Sequence, residues 1–124
     1  MYKKLFSHPD KPLKKHLQNV YQIGNKKLKE VDPPATIYNN IDISLNKLNA
    51  IILLTHDFAK ATSFFQRKLY LAVNKPDSRE YQKLINDPRT NHGRLSAFYA
   101  FFILSELSNN PIVPILGFMI VNRH

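Results

Sequence analysis

His56 and Asp57 stand side by side directly after the apolar run Ile51-Ile52-Leu53-Leu54, and Lys60 follows three residues later. Ionisable groups at the end of a buried segment are costly unless something satisfies them. A divalent cation is one such partner, because imidazole nitrogen and carboxylate oxygen together suit Mn, Fe, Co, Ni, Mg or Zn. The remaining histidines extend the pattern. His16, His56, His92 and His124 are separated by 40, 36 and 32 residues, and each falls at the end or on the inward face of a different expected helix. Helices packed as a bundle can bring such side chains to one point. Four histidines around one bridging aspartate have the composition of a two-metal site, whose ions lie about 3.5–4 Å apart. Taken singly, each histidine also has a plainer reading as a helix cap or the maker of one hydrogen bond. His8 precedes the first expected helix on an irregular arm and is left out of the set.

The elements that must position these residues read as all-α, with about five helices. Asp10 is the expected N-cap, with Pro12 in the first turn, of a helix reaching about Val31. Its apolar stripe is Leu13, Leu17, Val20, Gly24, Leu28 and Val31; Lys11, Lys14, Lys15, Lys26 and Lys29 lie opposite, and His16 lies at the stripe's edge. Asp32-Pro33-Pro34 ends it. A second helix is expected from about Ile43 to Asp57, with Leu45, Leu48, Ile51, Ile52 and Leu54 inward; a strand over 50–54 is the alternative for so short an apolar run. A third, about Ala61 to Val73, turns Phe64, Phe65, Leu69 and Val73 inward, and a helical turn is expected near Arg79–Ile85. A fourth opens at His92, and its body from Leu95 to Leu107 is apolar on nearly every side, which predicts the central buried helix. Asn110-Pro111 begins the last one.

Composition narrows the classes. The chain has 124 residues with 44% hydrophobic content, enough for one domain with a moderate core. It has no cysteine, which excludes disulfides, thiolate metal sites and a cysteine nucleophile. No apolar leader opens it, and the apolar stretch 112–121 is broken by Pro114 and Gly117 and too short to span a bilayer. The expectation is a soluble, cytoplasmic protein without membrane contact. Eighteen Lys+Arg against nine Asp+Glu give +9, of which residues 1–31 supply +6. Such an excess favours polyanions, although a solvated lysine face accounts for it equally well. No phosphate-binding glycine loop and no Gly-x-Ser-x-Gly elbow is present.

Four stretches also carry a resemblance: Leu13-Lys14-Lys15-His16-Leu17, the run from Leu53 through His56-Asp57-Phe58-Ala59-Lys60 to Phe64-Phe65-Gln66, His92-Gly93-Arg94-Leu95-Ser96-Ala97, and Val121-Asn122-Arg123-His124. Together they resemble the HD nuclease domain of the CRISPR-associated type I helicase-nuclease, in order and over nearly the whole chain. The resemblance implies an HD-domain-like helical bundle over 1–124 and two divalent metal ions (Mn, Ni, Co, Fe or Mg) held by His16, His56, Asp57, His92 and His124. It implies catalytic roles for Asp57 and Lys60, with Lys60 able to reach a phosphate oxygen. The activity implied is phosphodiester hydrolysis of single-stranded DNA in CRISPR interference. The partners implied are a helicase domain or subunit and the guide-RNA surveillance complex, with Lys14, Lys15, Lys60 and Arg94 the candidate contacts to the strand. Phe64, Phe65 and Tyr70 are candidates to stack bases, the two phenylalanines doubling as expected core.

Ala59 stands where the family has a glycine. The second histidine of the family's His-His pair and a later aspartate have no counterpart here, which implies an incomplete HD domain of low activity whose uncovered apolar surface self-associates. Two other functions remain open at this point: a phosphohydrolase of small nucleotides, and an inactive chain that only binds nucleic acid.

Overall fold

The structure, a computed structural model, describes residues 4–31 and 41–123. Among them are six α-helices: α1 (Leu13–Lys29), α2 (Leu45–Thr55), α3 (Ser63–Asn74), α4 (Arg79–Ile85), α5 (His92–Leu107) and α6 (Ile112–Asn122). Single 3-10 turns cover Phe58–Ala61 and Pro88–Thr90, and a short antiparallel hairpin pairs β1 (Phe6–His8) with β2 (Lys11–Pro12). The all-α expectation is met. No helix among the described residues is long and apolar enough to cross a membrane.

Side-chain caps set most of the helix starts, each accepting a hydrogen bond from an otherwise unsatisfied backbone N–H. Ser44 accepts from Lys47, Thr62 from Phe65, Ser78 from Tyr81 and Asn91 from Arg94. Asn110 Oδ1 accepts from Ile112 N–H at the start of α6. The expected cap at Asp10 is not found. Residues 6–12 form the hairpin instead, Pro12 precedes α1 without a side-chain cap, and the Leu13 N–H donates to the Leu5 carbonyl at 2.9 Å. The arm is therefore folded back against α1, and the Pro9-Asp10 turn is the device that folds it.

Two apolar clusters meet at Ile52. One gathers Ile43, Leu48, Leu104 and Val113; the other gathers Ala97, Ala100 and Val121 with Phe118. The helices α5 and α6 pack where Ala97 and Ala100 meet Val121 and where Gly117 meets Leu104, all of them buried. At Gly117 the approach is close enough that a Cβ would run into Leu104 Cδ1. A turn of the chain at 108–109 is tied back to the start of α2, where the Asp42 carboxylate accepts from the Ser108 hydroxyl and from Asn109 N–H.

Several burial expectations are corrected. Helix α5 is not buried all round: Phe102 is 64% exposed, and Leu95, Phe98, Tyr99, Ile103 and Leu107 also face outward. A helix that is apolar on every side carries no phase in its sequence, so only its packing against α6 shows which face is buried. Leu54, Phe64, Val73 and Val31 are likewise exposed. The second helix ends at Thr55, whose hydroxyl donates to the Ile51 carbonyl at 2.6 Å, so Asp57 lies beyond it.

Candidate metal centre

The early end of α2 is what builds the site. His56 is its C-cap, and Asp57 leaves helical geometry at φ −116°, ψ 14° to start the 3-10 turn. Three residues per turn make positions i and i+3 eclipse, which sets Lys60 directly over Asp57. The Lys60 ammonium lies 2.7 Å from Asp57 Oδ2. The turn is held from below by Ser96, buried on α5, whose hydroxyl accepts from Ala59 N–H at 3.0 Å. Behind it the Gln66 carboxamide ties three backbone positions: it accepts from Phe6 N–H at 3.1 Å and donates to the Phe6 and Lys60 carbonyls, each at 2.7 Å.

The Asp57 side chain is 1% exposed and faces imidazoles on both sides. His16, from the first turn of α1, places Nε2 at 2.8 Å from Oδ2, and His56 places Nε2 at 3.4 Å from the same oxygen. His92, the first residue of α5, approaches the other oxygen, with Nε2 at 3.4 Å from Oδ1. Four sequence-expected residues are thus brought together; His124 lies outside the described residues. His16, His56 and Asp57 each offer one ligand atom within 4.8 Å of the others, a group that could hold a metal ion.

Proton positions support that reading. His56 Nδ1–H donates to the Leu53 carbonyl at 2.6 Å, leaving Nε2 aimed at the cluster. A carbonyl on the far ring nitrogen is how ligating histidines are usually oriented. His16 has no such far-side partner: its Nδ1, the ring nitrogen other than the one at Asp57, is buried with no hydrogen bond to any described residue. The donor set fits a divalent cation.

The electrostatics are those of one carboxylate serving several cationic partners. Burial alone would push the Asp57 carboxyl up, but hydrogen bonds and charge from His56 and Lys60 hold it well below the usual carboxylate range. Burial pushes His16 down, and its hydrogen bond to Asp57 offsets only part of that. For His56 burial also pulls downward, but hydrogen bonds to Asp57 and to the Leu53 carbonyl outweigh it and the net shift is upward. His16 is therefore the readier lone-pair donor, while His56 holds its proton more tightly. Metal affinity should accordingly rise with pH, since an ion must displace that proton. Below the raised His56 value the expected slope is about tenfold per pH unit. Calorimetric titration from about pH 5 upward measures it; an affinity that acid does not weaken would remove His56 from the ligand set.

No family model, curated protein or solved structure matches the chain. The HD resemblance thus rests on its four sequence stretches alone.

Three features were missed from the sequence. His8, set aside as part of a loose arm, packs its ring edge-on against His16 with centroids 5.6 Å apart, because the hairpin returns it to the cluster. Ser96 and Gln66 hold the 3-10 turn without touching the cluster. The Pro9-Asp10 turn signal was the available pointer to the first; nothing local marks the other two.

Among the candidate strand contacts, Lys14, Lys15 and Arg94 are exposed, whereas Lys60 is 7% exposed and engaged with Asp57. The far side of α3 forms one wall of an open cleft of about 1220 Å³ that reaches Phe6 and Gln66. Three cation–ring pairs line it: Arg89 over Phe64 at 4.3 Å, Arg67 over Tyr70 at 5.5 Å and Lys4 over Phe6 at 5.6 Å. Carboxylates hold both guanidiniums in place, Asp87 for Arg89 and Glu80 for Arg67. Phe65 belongs to the opposite side, its ring 5.4 Å from that of His92.

Proposed function

We propose that the chain is a metal-dependent phosphohydrolase acting on single-stranded DNA. The observation that carries this reading is the buried Asp57 carboxylate, with His16, His56 and Lys60 at one oxygen and His92 at the other. A carboxylate placed between two sets of donors suits divalent ions, which Asp57 would hold with His16 and His56 and, at its other oxygen, with His92. Mn, Ni, Co, Fe and Mg are the candidates for such oxygen–nitrogen ligands. Bound there, divalent ions supply Lewis acidity and activate water near neutral pH. Asp57 and the three imidazoles hold and orient that chemistry, and the Ser96 and Gln66 hydrogen bonds keep the turn bearing Asp57 and Lys60 in register. Lys60 balances the Asp57 charge and stays beside any phosphate brought to the cluster.

Single-stranded nucleic acid is favoured over small nucleotides by the cleft on the far side of α3, which none of the cluster residues lines. Its aromatic rings and stacked guanidiniums are the surfaces on which unpaired bases stack, and it exceeds the roughly 300–1,000 Å³ of a typical small-molecule site. The net charge of +9 draws in a polyanion. In the wider reading that the resemblance suggests, a helicase acting with a guide-RNA surveillance complex delivers the strand.

The test incubates the protein with Mn, Co, Ni or Mg and end-labelled oligothymidylate, with a chelator control and parallel assays of phosphate release from nucleotides. The expected result is slow cleavage of the oligonucleotide that requires metal. Phosphate release from nucleotides without strand cleavage would transfer the site to small substrates. No hydrolysis of either substrate with any metal would overturn the proposal.

A further inference from the structure

The outer surface of α5 and α6 has a composition that a soluble monomer does not normally display. Eleven large apolar side chains on these two helices, six on α5 and five on α6, are between 37% and 64% exposed. At roughly 200 Å² for a fully exposed large side chain, they present on the order of 1,000 Å² of apolar surface. The largest apolar patch of an ordinary monomer is about 300–600 Å². The side chains are arranged as stripes. Phe98 and Phe102 lie four residues apart on α5; Ile112, Ile115 and Met119 lie on one face of α6. Between them runs a groove of about 290 Å³ lined by Phe98, Phe101, Phe102, Ile115 and Phe118. Helix α6 contains no charged residue and α5 contains only Arg94 and Glu106.

From this we infer that the α5–α6 face is a homodimer interface, covered by the same face of a second copy. The apolar area matches the roughly 800 Å² that each partner contributes to a standard interface. The charge distribution selects the partner. With +9 on each chain, two copies repel wherever their lysines meet, and this uncharged face is where they approach at least cost. Among the described residues of the two helices the exposed polar side chains are few, Arg94, Tyr99, Ser105 and Glu106 among them, so an apolar surface is what complements most of this face. The other exposed apolar side chains, such as Ile23, Leu54 and Tyr70, are spread over separate elements. A two-fold pairing covers both copies at once and closes, whereas a head-to-tail contact would leave one face open at each end. The product is a layer of four helices, α5 and α6 from each chain, with Phe102 and Met119 in the contact.

Sedimentation velocity and light scattering over about 1–100 µM, a range that spans micromolar dissociation constants, test the inference on the intact chain. The expected species is a dimer of twice the 14.4 kDa chain mass. Phe102→Glu and Met119→Glu place a charge on exposed positions, so the helical circular dichroism should be retained while the dimer dissociates, with a loss of affinity of at least about 100-fold per substitution, the range of interface hot spots. Lys26→Glu, on α1, should leave the dimer intact. A monodisperse monomer at the highest concentration would overturn the inference and assign the face to a different partner. A dimer indifferent to both face substitutions would overturn it as well, as would open-ended assembly without a dimer plateau.

Discussion

Asp57→Asn should abolish metal-dependent hydrolysis and lower metal affinity by more than about 100-fold, beyond the 10–100-fold that loss of an outer partner costs. The substitution keeps the size of the side chain and removes its charge. It also has a consequence without metal. The Lys60 ammonium, with its side chain 8% exposed, lies 2.7 Å from Asp57 Oδ2, and breaking a buried pair by removing one member costs about 3–5 kcal/mol because the other charge is stranded. Chemical denaturation of the chelated protein should therefore show Asp57→Asn destabilised by about 3 kcal/mol. Lys60→Met in the same chain should restore most of that loss while leaving metal binding absent, and a double variant as unstable as the single one would contradict the pairing. Acid should separate the variants too. The Asp57 carboxyl titrates below its ordinary 3.8 in the folded chain, so the unfolded chain takes up the proton first. The stability it confers is present above about pH 4 and drains away as the pH falls further. The acid limb of Asp57→Asn should be flatter than that of the parent.

The second large effect lies in the core. Leu104 is fully buried beside Ile43, Leu48 and Val113, and Leu104→Ala should cost about 3 kcal/mol or more, since lost burial and the residual cavity add. Gly117→Ala should also destabilise, by about 1–3 kcal/mol, because the new methyl meets Leu104 Cδ1 and that side chain has no solvent to retreat into. In the Leu104→Ala background the obstruction is gone, and the same methyl fills part of the cavity and removes a helical glycine. Gly117→Ala is then expected to be neutral or stabilising, so the cycle should show a coupling of about 1–3 kcal/mol. Denaturation midpoints of the four proteins measure it. Simple additivity would mean that the two side chains do not share the space assigned to them.

What could be read in advance followed from chemical cost. His16, His56, Asp57 and His92 stood out because such groups need partners wherever the chain buries them, and the bundle brings all four to one carboxylate. The starts at Arg79 and His92 were placed as well, where Ser78 and Asn91 cap through their own side chains, whereas the cap expected at Asp10 is not formed. Two kinds of information were not local. The exposed side of α5 could not be read from a helix with apolar residues in every direction; only the packing of Ala97, Ala100 and Leu104 against α6 reveals it. The roles of His8, Ser96 and Gln66 depend on contacts made across 8, 37 and 60 residues respectively, and apart from the Pro9-Asp10 turn that returns His8 no short-range pattern announces them. Lys60 was expected to reach a phosphate oxygen, whereas the 3-10 geometry pairs its ammonium with the Asp57 carboxylate.

The Gln66 carboxamide gives the fold a common hinge-pin. Its three hydrogen bonds join the N-terminal hairpin, through Phe6, to the turn bearing Asp57 and Lys60, through the Lys60 carbonyl. A local fluctuation that lifts the hairpin must break this link, and the same break loosens the backbone beneath Lys60 and the His8 ring that leans on His16. The hairpin and the cluster are therefore expected to open together, which amide hydrogen exchange of residues 6–12 and 57–60 would show. Release of the ribbon at residues 6–12 would take away both the His8 ring beside His16 and one support of the turn that carries Asp57.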